Sequence, residues 1–254
     1  MAKRPLSLIY EDDDMLAVDK PARMMSVPAP KGSKDLGLSV WERLRADRRK
    51  AIAVHRLDYE TSGVLVFAKN QKAADRLIEA FRSRRVEKTY LCLVQGWPSP
   101  PRGKLIFPIK DLGASAVISK AGKPAETFYE VIRRVGRCAL VEARIQTGRH
   151  NQIRLHFAQV GHAIVGERKF ARGRDAIVKH KRALLHALAL DFIPPDLPQA
   201  LRIESPLPPD FELGLKKAAA AKSTQDSHFD DGPSPKGRLS SRQRHARGRK
   251  SRRR

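Results

Sequence analysis

Two cysteines in 254 residues are too few for a disulfide framework or a thiolate metal site. Cys92 and Cys138 both fall inside apolar, strand-like runs and read as buried, reduced thiols. No stretch of about 18 apolar residues occurs, so no membrane span is expected. The opening Met1-Ala2-Lys3-Arg4-Pro5 lacks the apolar segment of a secretory signal, which points to the cytoplasm. Acidic side chains are scarce: 27 Asp and Glu stand against 51 Lys and Arg, for a net charge of +24. From Pro233 to Arg254 there is no acid at all among ten basic residues.

That excess calls for a polyanion. Residues 1–232 keep +14 without the basic C-terminus, so the body of the chain is itself basic. No amphipathic basic helix with aromatic anchors is visible, so nucleic acid is favoured over a membrane surface. No helix-turn-helix, zinc-finger or zipper pattern marks a DNA-binding protein. His150, His156 and His162 are six residues apart and share no helical face, so no metal site is expected.

The 41% hydrophobic content is enough for a globular core. Leu6–Tyr10 and Met15–Val18, around the acidic turn 11–14, predict a hairpin ending at Asp19-Lys20-Pro21. Residues 26–37 read as a loop. Ser39 can cap a helix over 40–47, and Asn70 a second over 71–82 with Ala73, Ala74, Leu77, Ile78 and Phe81 inward. Arg45, Arg48, Arg49 and Lys50 form a cluster that is either a solvated basic face or a phosphate contact. Strands follow at 87–94, 104–109, 116–118, 126–135, 138–145, 188–192 and 200–203, with a helix after Gly148 and another from Phe211. Arg168–Lys181 reads as irregular. Beyond Lys216 apolar periodicity stops, and residues 217–254 read as a disordered basic tail.

One stretch organises the chain. His55-Arg56-Leu57-Asp58-Tyr59-Glu60-Thr61-Ser62-Gly63 joins the apolar runs 51–54 and 64–68, so a polar turn is held between two strands. Arg56 and Asp58 form a local ion pair there, or catalytic groups on a rigid mount. A second element, Thr147-Gly148-Arg149-His150-Asn151-Gln152-Ile153-Arg154, places arginines at the opening of a helix, as an anion site would.

His-Arg-Leu-Asp followed by Thr-Ser-Gly and an apolar strand resembles the signature of the RluA-type pseudouridine synthases. The resemblance runs from about Leu6 to Leu213, in the family's order. It includes Lys20-Pro21, Lys88-Thr89-Tyr90, Thr147-Gly148-Arg149, Gln152-Ile153-Arg154 and Leu185-His186-Ala187. Departures are Ala22-Arg23 after Lys-Pro, Asn151 where the family carries His, Ala163 for Pro and Glu167 for Asp. No S4-type RNA-binding domain is included.

The resemblance implies one α+β domain over 1–216, with a mixed, mostly antiparallel sheet and flanking helices. It implies an RNA-modifying isomerase that turns specific uridines of ribosomal or transfer RNA into pseudouridine, without metal or cofactor; the basic tail and surface would repel a second copy, so a monomer is expected. Asp58 becomes the nucleophile, Arg154 its ion-pair partner that lowers its pKa, and Tyr90 an aromatic wall for the uracil that can move a proton. Leu185 becomes the opposite wall. Arg56 fills the space the target base vacates or holds the RNA backbone, Arg149 becomes an RNA contact, and Lys20 a support for the loop or for a phosphate. The competing reading is a non-catalytic RNA-binding or ribosome-assembly factor on the same fold.

Overall fold

In a computed structural model, residues 6–29, 37–113, 115–171, 178–193 and 200–221 are described. The chain opens with the expected hairpin, β1 (Ser7–Glu11) and β2 (Met15–Lys20). Its turn is held by Asp12, whose Oδ1 accepts from the amides of Asp14 and Met15 at 2.8 and 2.7 Å. Helix α1 (Val40–Ala46) starts at Ser39 in a full capping box with Glu42. Strands β3 (Ile52–Ala53) and β4 (Ser62–Ala68) flank the organising loop, as the apolar runs predict. Helix α2 (Gln71–Arg82) is capped by Asn70, whose side chain accepts from Ala73 N. Ile78, expected on its inner side, is exposed, and Ala80 is buried instead. The buried stripe is 73, 74, 77 and 80, which puts position 78 outside it.

The following strands are β5 (Val86–Gln95), β6 (Arg102–Ile106), β7 (Ile109–Asp111), β8 (Ala116–Ile118), β9 (Glu126–Val135) and β10 (Cys138–Ile145). The single strand expected over 104–109 is broken at Phe107-Pro108, because proline cannot donate to a ladder. Helix α3 (Gln152–Gln159), strands β11 (Leu185–Phe192) and β12 (Leu201–Glu204) and helix α4 (Pro209–Ala220) complete the order. Helix α4 runs past the boundary drawn at 216, because Ala218 is buried and its carbonyl lies close to Gly136. Residues 222–254 of the tail, part of the 26–37 loop and parts of 168–181 and 194–209 lie outside the described residues.

The main sheet runs β1-β2-β4-β11-β5-β10-β9-β6, with β12 on β11 and β3 on β4. Among the described residues only β11 and β4 pair in parallel, so the sheet is mixed and mostly antiparallel. A core on one side gathers Leu16, Leu65, Leu93, Val141, Phe157 and Phe211. On the other side α2 packs with Val64, Val66, Leu190 and Phe192. The close β4–β11 approach depends on Gly63, which has a φ of +113°, and a Cβ there would sit 2.1 Å from the Ala187 carbonyl oxygen. No described helix is long and apolar enough to cross a membrane.

Candidate active site

The loop between β3 and β4 is fastened at several points. His55 Nε2 accepts from the amide of Val66 at 2.9 Å, and its ring stacks on Phe81 at 4.5 Å. Burial, reinforced by nearby Lys88, pushes this imidazole down to about 3, so it stays neutral and keeps its acceptor. Ser26 Oγ donates to the Leu57 carbonyl and accepts from the Leu57 amide, both at 3.0 Å. Lys20 lies fully buried beneath the loop, with Nζ donating to Met24 O at 2.7 Å, Pro21 O at 3.0 Å and Tyr59 O at 3.4 Å. Of the two uses expected for Lys20, support of the loop or of a phosphate, these three bonds to loop carbonyls favour the first. Burial lowers its pKa to about 7, with the Asp58 charge opposing that shift.

Fastened this way, the loop turns Asp58 into a cleft of about 70 Å³. The cleft is shared by Arg56, Asp58, Tyr90, Arg149, Ile153 and Leu185, which come from the loop, β5, the segment before α3, α3 and β11. Five of the seven residues singled out from the sequence thus meet in one place. Tyr90 and Leu185 stand on paired strands, Tyr90 opposite Ala187 and Leu185 opposite Cys92. Arg149 also donates from Nε to Pro124 O at 3.2 Å. Arg45, Arg48, Arg49 and Lys50 do not line the cleft; Arg45 lies over Trp41, and Arg49 pairs with Glu11 at 2.7 Å.

Arg154 stands behind the cleft. Its Nη1 lies 3.9 Å from Asp58 Oδ2, an ion pair at long range. The shorter bonds go elsewhere: Nε to Glu167 Oε2 at 2.6 Å, Nη2 to Glu167 Oε1 at 3.0 Å and Nη1 to Asn151 Oδ1 at 2.8 Å. Asn151 caps α3 in the left-handed region, at φ 55°, where Asn is tolerated better than most residues. Its side-chain oxygen thereby lies beside Arg154. His150, His156 and His162 point to Asp111, Phe107 O and Gln95 O, three separate partners.

The electrostatics differ from expectation at Asp58. Its side chain is 21% exposed, through the cleft. Burial raises its pKa above the ordinary aspartate value, while Arg154, His150, Arg56 and Lys20 pull the other way without reversing the shift. The arginine partner therefore limits the rise rather than lowering the pKa, because Glu167 takes most of its hydrogen bonding. Tyr90 is pushed upward by burial and by the Asp58 charge, so its phenol keeps its proton. It can wall the cleft or donate a hydrogen bond.

Three contributors escaped the sequence reading. Glu167 is the buried anchor of Arg154. Gln152 ties the Thr147–Arg149 turn, accepting from Thr147 Oγ1 at 2.8 Å and Arg149 N at 3.1 Å while donating to Glu126 O at 2.8 Å. Arg182, fully buried, donates to Glu60 O at 3.2 Å, Leu185 O at 3.2 Å and Ser62 Oγ at 3.3 Å, and holds Asp210 through Nε at 2.6 Å. It joins the loop to the strand that carries Leu185. The only signal for these residues in sequence was their place within or beside the resembling motifs.

Residues 14–159 match the model of a family described as RNA pseudouridylate synthase. The chain is 38% identical over 229 residues to the ribosomal large subunit pseudouridine synthase C of Escherichia coli strain K12, covering 85% of this chain and 70% of that one. It is 36% identical over 207 residues to the dual-specificity RNA pseudouridine synthase RluA of the same strain, covering 79% of this chain and 93% of that one. Among solved structures, the human RNA pseudouridylate synthase domain containing 4 superposes with a TM-score of 0.67 at 23% identity, over 84% of this chain and 92% of that one. The human domain containing 1 protein gives 0.65 at 26%, over 79% and 83%.

Proposed function

The chain belongs to the RluA-type family of RNA pseudouridine synthases, and from that membership we propose that Asp58 is the group that opens the uridine glycosidic bond. The protein is an isomerase acting on RNA. The reaction breaks the bond from ribose C1′ to uracil N1 and makes one from C1′ to C5. Net, N1 gains the proton that C5 loses, so nothing is oxidised or reduced. The observation that carries the assignment is that Asp58, Tyr90 and Leu185 line one small cleft, with a guanidinium 3.9 Å behind the carboxylate.

The carboxylate is the nucleophile for C1′ or for uracil C6. Its burial strips water from the charged form, which strengthens interaction with a developing cation at C1′. Arg154, held by Glu167 and Asn151, steadies it without closing on it. A target uridine must leave its stack to enter the cleft. Tyr90 and Leu185 then wall the detached uracil while it turns, and Arg56 and Arg149 meet the RNA at the rim.

Ribosomal RNA is the proposed substrate, since the relative aligned over 229 residues is named for the large ribosomal subunit. The protein works as a monomer in the cytoplasm. Residues 217–254 add salt-sensitive, non-specific affinity. The test is base-resolution mapping of pseudouridine in RNA from cells lacking the enzyme, after incubation with wild type or Asp58→Ala. New sites with wild type alone support the assignment, and their positions name the substrate. Binding without modification by either protein would move a non-catalytic factor into first place.

A further inference from the structure

A second cavity, of about 680 Å³, adjoins the catalytic loop. Arg23, Arg168, Lys179, Lys181 and Lys217 line it, all exposed. Its one lining carboxylate among the described residues, Asp210, is already taken by Arg182 through two bonds, at 2.6 and 2.9 Å. Arg168 reaches a further acid, Glu60, at 3.5 Å. These cations come from three separate segments: the loop after β2, the stretch between α3 and β11, and α4. The fold brings them together although like charges repel, and the cavity wall supplies no free acid to offset them.

The wall is held in a defined shape. Arg23 adopts a φ of +61°, sparsely populated by residues with a side chain, and reaches back to the Lys181 carbonyl. Arg168 donates to the same carbonyl at 2.6 Å. The cavity is also coupled to the cleft. Arg182 lines the cavity, while its guanidinium holds the carbonyls of Glu60 and Leu185. Flexible, exposed lysines set in an open cavity suit a chain of phosphates rather than one small anion held by converging donors.

We propose that this cavity binds the sugar–phosphate backbone of the substrate RNA beside the target nucleotide, an inference that rests on the synthase reading. Lys179, Lys181 and Lys217 make phosphate contacts, and Arg23 and Arg168 shape the wall.

The experiment compares two triple variants of the full chain in an Asp58→Asn background that binds without turnover. One carries Lys179→Gln, Lys181→Gln and Lys217→Gln. The other loses equal charge from exposed positions outside the cavity, through Lys72→Gln, Arg133→Gln and Arg137→Gln. Affinity for ribosomal RNA is read against salt concentration, after melting curves show both variants folded. The cavity triple is expected to lower the log–log salt slope by about 2, at roughly 0.7–0.9 for each phosphate no longer neutralised, and to weaken binding about tenfold or more at about 0.1 M salt. The control should lose less than half as much. With Asp58 restored, the cavity triple should raise KM rather than lower kcat. Equal losses in the two triples, or an unchanged slope in the first, overturn the proposal. If wild type makes no pseudouridine in any RNA, the synthase reading fails by itself, and the binding comparison still decides what the cavity holds.

Discussion

Arg154 lies 2.6 Å from Glu167 and 3.9 Å from Asp58, so its closest carboxylate is a buried structural anchor and not the proposed nucleophile. Glu167 also accepts the amides of Lys169 and Phe170, at 2.8 and 3.2 Å. Burial works to raise the Glu167 pKa, but Arg154 and the two amides hold it below the ordinary glutamate value. Glu167→Gln takes from the buried Arg154 guanidinium its one close carboxylate, leaving Asp58 and Glu60 at 3.9 Å. Denaturant unfolding near neutral pH should show a loss of about 3 kcal/mol or more. The loss should shrink as pH falls through the depressed Glu167 pKa, since a protonated Glu167 no longer contributes. Pseudouridine formation should drop at least about tenfold, because Arg154 is freed to move toward Asp58.

Asp58 has the opposite sign. Its folded pKa is raised, so the ionised form destabilises the fold above the unfolded aspartate value of 3.8 and stops doing so below it. Asp58→Asn should therefore be more stable than wild type at neutral pH, and the difference should vanish below pH 3.8. The same variant should lose about four orders of magnitude or more in kcat, as expected when a nucleophile is removed. A lower melting temperature for Asp58→Asn at neutral pH would contradict the origin assigned to the shift.

The acid limb of the wild-type rate profile should report the Asp58 carboxylate, with activity falling as pH drops through a pKa above the ordinary aspartate value. Arg154→Gln removes the first of the cations that oppose that rise. Its acid limb should move to higher pH, a shift that a lower amount of folded protein would not produce.

Lys20 is held near pKa 7 in the fold against an ordinary 10.5, so between those values the unfolded chain binds the extra proton. Stability should climb across that window for this group. Lys20→Met should lack that part of the climb. It should also lower kcat by about tenfold, as the carbonyls that set the loop lose their donor. An unchanged kcat would show that the loop is set without it.

Gly63→Ala should cost about 3 kcal/mol or more in urea unfolding, since both its φ and the Ala187 carbonyl at 2.1 Å exclude a Cβ. The displaced β4–β11 pairing lies next to Ser62 and His186, which are joined by a 3.0 Å bond. The activity loss should therefore exceed the fraction unfolded.

Much of the fold could be read locally. Ser39 and Asn70 cap helices because short polar side chains before an apolar 3.6-residue stripe satisfy the first free amides. The loop 54–61 lies between strands because alternation stops and polar residues begin. The organising motif marked Asp58, and the strand start marked Tyr90. Lys20 resisted local reading. A lysine at the end of a hairpin looks solvated, and only the packing of three separate loop carbonyls around it makes it structural.

Composition, periodicity and the motifs by themselves determined a basic α+β chain with Asp58 on a polar loop between strands, and its family. These depend on residue type and spacing along the chain. Tertiary structure alone decided that Glu167 and Asn151 take the short bonds of Arg154, that Arg182 joins the β3–β4 loop to the strand carrying Leu185, and that five cations from three segments share one cavity. Those outcomes depend on which groups meet after water is removed. Desolvation and donor geometry act through space, and spacing along the chain does not encode them.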